Sequence, residues 1–284
     1  MQTFLFYEAE DQPPCQVADI EDTLHTFPGV VFAAPPGSRY RPGEWHDLAT
    51  GASCRFDIGV PDMEQDEMEK QVRYSGWRPL PVSVHVPLAG PHWFAVEALR
   101  VVEHLLHALP ETRALDTEDT KVDPDADSGP YAWSKLRALA SWEHLHHAHH
   151  QGRDALPRLN RAVSLALWRY RRERTRGRQA RPDLAWPEAH VLLDGDRAVS
   201  AALWADANRP LALPPVELIV VQRSDGTGVL PSDEVRTAAG GGLPLEMAQA
   251  VALQPSPRLT DLHSRAKLLP ATRFKALLDG DWGD

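Results

Sequence analysis

Residues 81–109 read PVSVHVPLAGPHWFAVEALRVVEHLLHAL, and two hydrophobic periods meet within them. Over 81–88, Val82, Val84 and Val86 alternate with Ser83 and His85, the two-residue period of a strand with one buried face. Pro87 predicts an edge position for that strand, because proline donates no ladder hydrogen bond. From Pro91, well placed as a first helical residue, the period becomes 3.6. Phe94, Val101, Val102, Leu105, Leu106 and Leu109 fill one side of a helix to Leu109, and Glu97, Arg100, Glu103, His104 and His107 form a polar stripe. A half-buried strand leading into a helix with one apolar side requires a sheet with that helix laid across it. The expected fold class is therefore α+β.

Toward the N-terminus the same signals recur. Residues 3–9 (TFLFYEA) are rich in bulky strand formers, and Asp19 caps a short helix that ends before Pro28-Gly29. Val30 to Ala34 reads as a second strand. Residues 44–48 and 53–60 read as a hairpin in which Cys54, Phe56 and Ile58 point inward. Residues 62–72 are charged enough for a solvated helical turn or two.

Toward the C-terminus, residues 110–130 are polar and acidic with both proline and glycine, the composition of a linker. Residues 131–150 and 156–176 then read as two helices of an antiparallel hairpin about Gly152. Beyond them, 189–193 and 198–204 flank an Asp-Gly-Asp turn, 216–222 (VELIVVQ) is a buried strand, and short helices are expected near 231–239 and 270–278. The expected organisation is an antiparallel or mixed sheet domain with a covering helix over 1–110, an acidic linker or long loop over 111–130, and a helical hairpin plus a β-rich domain over 131–284.

Composition narrows the functional classes. With 284 residues, 43% of them hydrophobic and 25% charged, the chain is long and apolar enough to bury a core, unlike a disordered one. No uncharged apolar run approaches the roughly 18 residues of a bilayer span, so no membrane partner is expected. The first residues lack the basic region and long apolar stretch of a signal peptide. Two cysteines, Cys15 and Cys54, outside any CxxC pair argue against a disulfide framework, and arginine outnumbers lysine 25 to 5. The expectation is a bacterial cytoplasmic protein.

Net charge is −10, unevenly spread: −14 over residues 1–130, +9 over 131–181 and −5 over 182–284. The basic segment is densest at Arg169, Arg171, Arg172, Arg174, Arg176 and Arg178, with Glu173 its one acid. Guanidinium groups grip phosphate in two-pronged fashion, so one reading is a polyanion or nucleic-acid footprint. The other, favoured by the acidic net charge and sparse aromatics, is a run that is solvated or docked on the chain's own acids.

Seven of the 13 histidines fall in two expected helices, both carrying a Glu-His-x-x-His string: Glu103-His104-Leu105-Leu106-His107 and Glu143-His144-Leu145-His146-His147. Residues three and four apart share a helix face, so two such helices side by side would converge His104, His107, His144 and His147 on zinc or another transition metal. A solvated face and a compositional histidine tract explain the same residues. The loop Asp123–Gly129 begins like a calcium loop, but Ser128 replaces the turn glycine and Ser134 stands where a bidentate Glu belongs. Gly240-Gly241-Gly242 lacks the Lys-Ser/Thr of a phosphate loop, and no GxSxG elbow occurs.

With no catalytic motif in view, the leading expectation is a non-catalytic protein-binding protein, an accessory subunit or an immunity-type inhibitor, whose acidic half suits a basic protein partner. A metal-dependent hydrolase built on the four histidines is the rival, and nucleic-acid binding through 169–181 the third reading.

Overall fold

The computed structural model describes residues 1–59, 74–118, 130, 132–150 and 156–284. They form two compact units, Met1–Leu88 with His92–Asp154, and Ala89–Pro91 with Ala155–Asp284. The expected turn at 62–72, the loop Asp123–Gly129 and Gly152 lie outside the described residues.

The first unit runs β1 (Gln2–Ala9), α1 (Val17–His25), β2 (Val30–Phe32), β3 (Tyr40–His46), β4 (Ser53–Gly59), β5 (Trp77–Val86), α2 (Trp93–Ala108), β6 (Thr112–Asp116) and α3 (Lys135–His150). Its sheet is ordered β2-β3-β4-β5-β1-β6, and every pairing is antiparallel. One face carries Phe4, Phe6, Phe56, Ile58, Val82, Val84 and Val86, packed with Trp93, Phe94, Leu99 and Leu105 of α2 and with Ile20 and Leu24 of α1. At about 1.5–3 kcal/mol for each large apolar side chain fully buried, this layer is the unit's main source of stability.

Three expectations are corrected here. β5 is interior, not an edge: it ends at Val86, so Pro87 lies just past the ladder. Pro79 and Pro81 fall outside the β4 pairing, which spans Val82–His85 of β5, and there they leave no β4 acceptor waiting. The start of the expected linker is β6, the edge strand beside β1. The polar stripe of α2 is not uniformly solvated either: Glu97 is fully buried, and Arg100 reaches it at 2.8 Å.

The second unit begins with α4 (Arg161–Ala180), so α3 and α4, expected as a hairpin, belong to different units. It continues with β7 (Ala189–Asp194), β8 (Arg197–Trp204), β9 (Leu211–Leu213), β10 (Leu218–Arg223), β11 (Gly226–Pro231), α5 (Ser232–Ala238), β12 (Leu243–Leu245), β13 (Ala250–Leu253), α6 (Pro257–Arg265), β14 (Leu269–Pro270) and β15 (Phe274–Leu277). A six-stranded sheet is ordered β14-β11-β10-β8-β7-β15, with β8 and β10 parallel, and β12-β13-β9 make a small second sheet. The Asp194-Gly195-Asp196 turn joins β7 to β8 as expected. Residues 270–278 form a 3-10 turn and β15 in place of a helix, because β7 offers an open edge that Phe274–Leu277 pair with. The helix of this region is α6, where the Ser256 side chain accepts from the Leu259 N–H and Pro257 opens the first turn. The chain is thus α+β, and among the described residues no helix is long and apolar enough to cross a membrane.

Candidate functional site

The histidine strings do not converge. Lys135, at the start of α3, pairs with Glu103 near the end of α2 at 2.6 Å. Further along α3, Trp142 Nε1 donates to the Pro87 carbonyl at 2.8 Å and His146 Nδ1 to the Leu88 carbonyl at 2.7 Å, just ahead of α2. The two helices therefore run antiparallel. His144 and His147 stand nine to twelve residues beyond Lys135, about 14–18 Å along the axis from the level of Glu103. Zinc reaches each imidazole at about 2 Å and cannot bridge that gap.

The rings have other work. His104 Nε2 donates to the Thr23 carbonyl at 2.9 Å, and the ring packs on Phe27 at 4.8 Å. His107 Nδ1 donates to the Glu103 carbonyl within its own helix at 2.6 Å. His144 and His147 are exposed, and His146 stacks on buried Trp142 at 4.5 Å. Among the described residues no three His, Cys, Asp or Glu side chains are grouped to hold a metal ion. The convergence expected of His104, His107, His144 and His147 assumed helices aligned string to string, and antiparallel packing separates the strings instead.

A hydrogen-bonded polar row crosses the other face of the first sheet. Register sets His85 opposite Thr3 and Arg55, and Asp57 opposite Ser83. His85 Nδ1 lies 3.1 Å from Thr3 Oγ1, and its Nε2 lies 3.0 Å from both Ser83 Oγ and Asp57 Oδ2. Tyr40 donates to Asp57 Oδ1 at 2.7 Å. Burial pushes the His85 pKa below its ordinary value, against the opposing pull of Asp57, so the ring is held neutral at pH 7. Hydroxyl, imidazole and carboxylate meet here as in a nucleophile site, but Thr3 and Ser83 lie within interior strands, whose N–H groups bond to neighbouring strands rather than to an oxyanion. The row acts as a cross-strand clamp. Neither cysteine is activated: burial drives the Cys54 thiol far up, and burial with nearby Asp19 and Glu8 raises Cys15 to about 11.

The second unit holds a concave site, a pocket of about 350 Å³ between the segment 185–190 and the stretch from the end of β8 to β9. Trp186, Pro187, Leu203, Trp204 and Leu211 supply apolar walls, and Glu188, His190, Asp206 and Arg209 stand around them. Two arginines of the run brace one wall from behind. Arg171 donates from Nε and Nη2 to the Ala189 carbonyl at 3.1 and 3.0 Å and pairs with Asp279 at 2.6 Å. Arg174 Nε donates to the Trp186 carbonyl at 3.1 Å, and its Nη1 reaches Glu188 at 3.1 Å. Between them Tyr170 donates to the Pro187 carbonyl at 2.8 Å.

Trp186 is also locked from below. Its indole N–H donates to the Arg181 carbonyl at 3.1 Å, and its ring lies so close over Gly177 that a Cβ there would come within 2.5 Å. The opposite wall is tied in by the Ala185 N–H to the Pro210 carbonyl and the Ala212 N–H to the Ala185 carbonyl, both 2.8 Å. Most of the lining is loop, and the segment 185–190 is held in place by these hydrogen bonds to α4 and to the 210–212 stretch.

The chain matches no protein-family model, no curated protein and no solved structure. The pocket was not visible in the sequence, because its walls come from two stretches, 185–190 and 203–211, with no shared motif. The one available signal was Ala-Trp-Pro at 185–187 beside an arginine-rich helix. Of the arginine run, the structure sends Arg171 and Arg174 into the unit, and leaves Arg169, Arg172, Arg176 and Arg178 exposed.

Proposed function

We propose that this chain is a non-catalytic protein-binding protein and that its second unit holds a partner through the Trp186–Trp204 pocket. The observation that carries this reading is a largely apolar pocket with Leu203, 44% exposed, among its lining residues. Binding energy at protein interfaces concentrates where an anchor side chain enters such a preformed, desolvated pocket. An apolar side chain of the partner fills the space between the two tryptophans. The net charge of −10 favours a partner with a basic surface.

The test is native mass spectrometry of untagged protein taken gently from its own cells without chelator. The expected result is a defined complex with a second protein that Leu203→Arg dissolves. A bare-chain mass, or a complex indifferent to Leu203→Arg, sinks the proposal.

A further inference from the structure

We propose that the outward face of α4 is a second, separate binding surface, a guanidinium strip for the phosphate backbone of single-stranded nucleic acid. The helix divides its arginines by phase. Those on the inner side, Arg171 and Arg174, are consumed by the wall of the pocket. Arg169, Arg172 and Arg176 follow one another at i, i+3 and i+7, which places all three on one line of the opposite side. Arg161 joins that line eleven residues before Arg172, close to three whole turns. All four are exposed, and the strip they mark is about 22 Å long.

The chemistry of the strip favours phosphate. Every cation is an arginine, whose planar fork matches two phosphate oxygens, and none is a lysine. Trp168 lies half-buried on the same side with the Arg172 guanidinium 5.6 Å from its ring centre, an aromatic and guanidinium platform on which an unpaired base stacks. The acid of this stretch, Glu173, lies beside Arg169 and Arg176 and pairs with Arg176 at 3.2 Å, an exposed pair that a phosphate would have to displace. The chain's net negative charge does not decide the matter. At physiological salt the Debye length is about 8 Å, so acids farther away than that are screened from a ligand lying on the strip. A membrane fits less well, because no exposed large apolar side chain flanks the four arginines to enter a bilayer.

The experiment is fluorescence anisotropy of the full chain with a labelled 20-nucleotide oligouridylate, across 50 to 200 mM salt. Three to four phosphate contacts predict binding that weakens about 20- to 50-fold over that range. Replacing Arg169, Arg172 and Arg176 together by Gln is expected to weaken binding at 50 mM salt by at least about tenfold. Arg178→Gln, a half-turn away, is expected to change it by less than about twofold, with far-UV circular dichroism unchanged in both. The corresponding triple Lys variant, which keeps charge at the same positions, is expected to recover most of the lost affinity. No binding by the wild-type chain at 50 mM salt, or equal binding by the triple Gln variant, overturns the proposal. So does displacement of the oligonucleotide by polyglutamate as effective as by unlabelled oligouridylate, which would assign the strip to acidic protein segments.

Discussion

At the scale of single residues, environment decides what a side chain can do. His85 is neutral in the folded chain because burial opposes its charged form, whereas in the unfolded chain it takes up a proton near the ordinary value of 6.5. Acid therefore favours the unfolded chain. The contribution of His85 is fully present above about pH 6.5 and is lost as pH falls from there toward the lowered native value. The slope for one such group is at most about 1.4 kcal/mol per pH unit. Thermal unfolding between pH 7.5 and 5 should show a decline that is shallower in His85→Gln; identical slopes would refute the assignment. For Cys15, a thiol raised to about 11 predicts slow alkylation by iodoacetamide at pH 8, accelerating up to about pH 11. Cys54, buried in β4, is expected to react only after unfolding. Mass spectrometry of time points distinguishes the two thiols.

At the scale of elements, α4 has two unlike sides, one packed on the segment 185–190 and one exposed. Its inner face is a template for the segment 185–190, and Gly177 is the point of closest approach to Trp186. Gly177→Ala, although a better helix former, should destabilise the chain by about 1–3 kcal/mol, because the added methyl has nowhere to go except into the indole ring. Urea unfolding followed by tryptophan fluorescence reads this directly, and an unchanged midpoint would mean that Trp186 yields freely. Elements whose periodicity was strong were legible in advance: β4, β5, α2, and the hairpin of β7 and β8. Those missed, β6, β9, β12, β13, β14 and β15, are short strands. Their residues carry too few alternations to show a period, and each forms because a neighbouring strand offers an open edge.

At the scale of the whole molecule, two units with separate cores place the His85 row and the Gly177–Trp186 contact in different units, with no partner in common. Their effects on stability are therefore expected to add. The double variant His85→Gln with Gly177→Ala should lose the sum of the two single losses to within about 0.5 kcal/mol. A larger discrepancy in urea unfolding would reveal coupling between the two sites.

By itself the sequence determined the α+β class, the strand that passes into α2, the inward side of β4 and the concentration of arginine on one helix. These are local properties, set by hydrophobic period and charge along a few turns of chain. What the tertiary structure alone decided was which helices meet and in which direction. That choice set His104 and His107 apart from His144 and His147, turned Arg171 and Arg174 inward, and closed a pocket between the stretches 185–190 and 203–211. The physical reason is that a Glu-His-x-x-His string or an arginine run fixes the spacing of groups on its own helix, while the partner on each face is fixed by packing against residues far away in sequence.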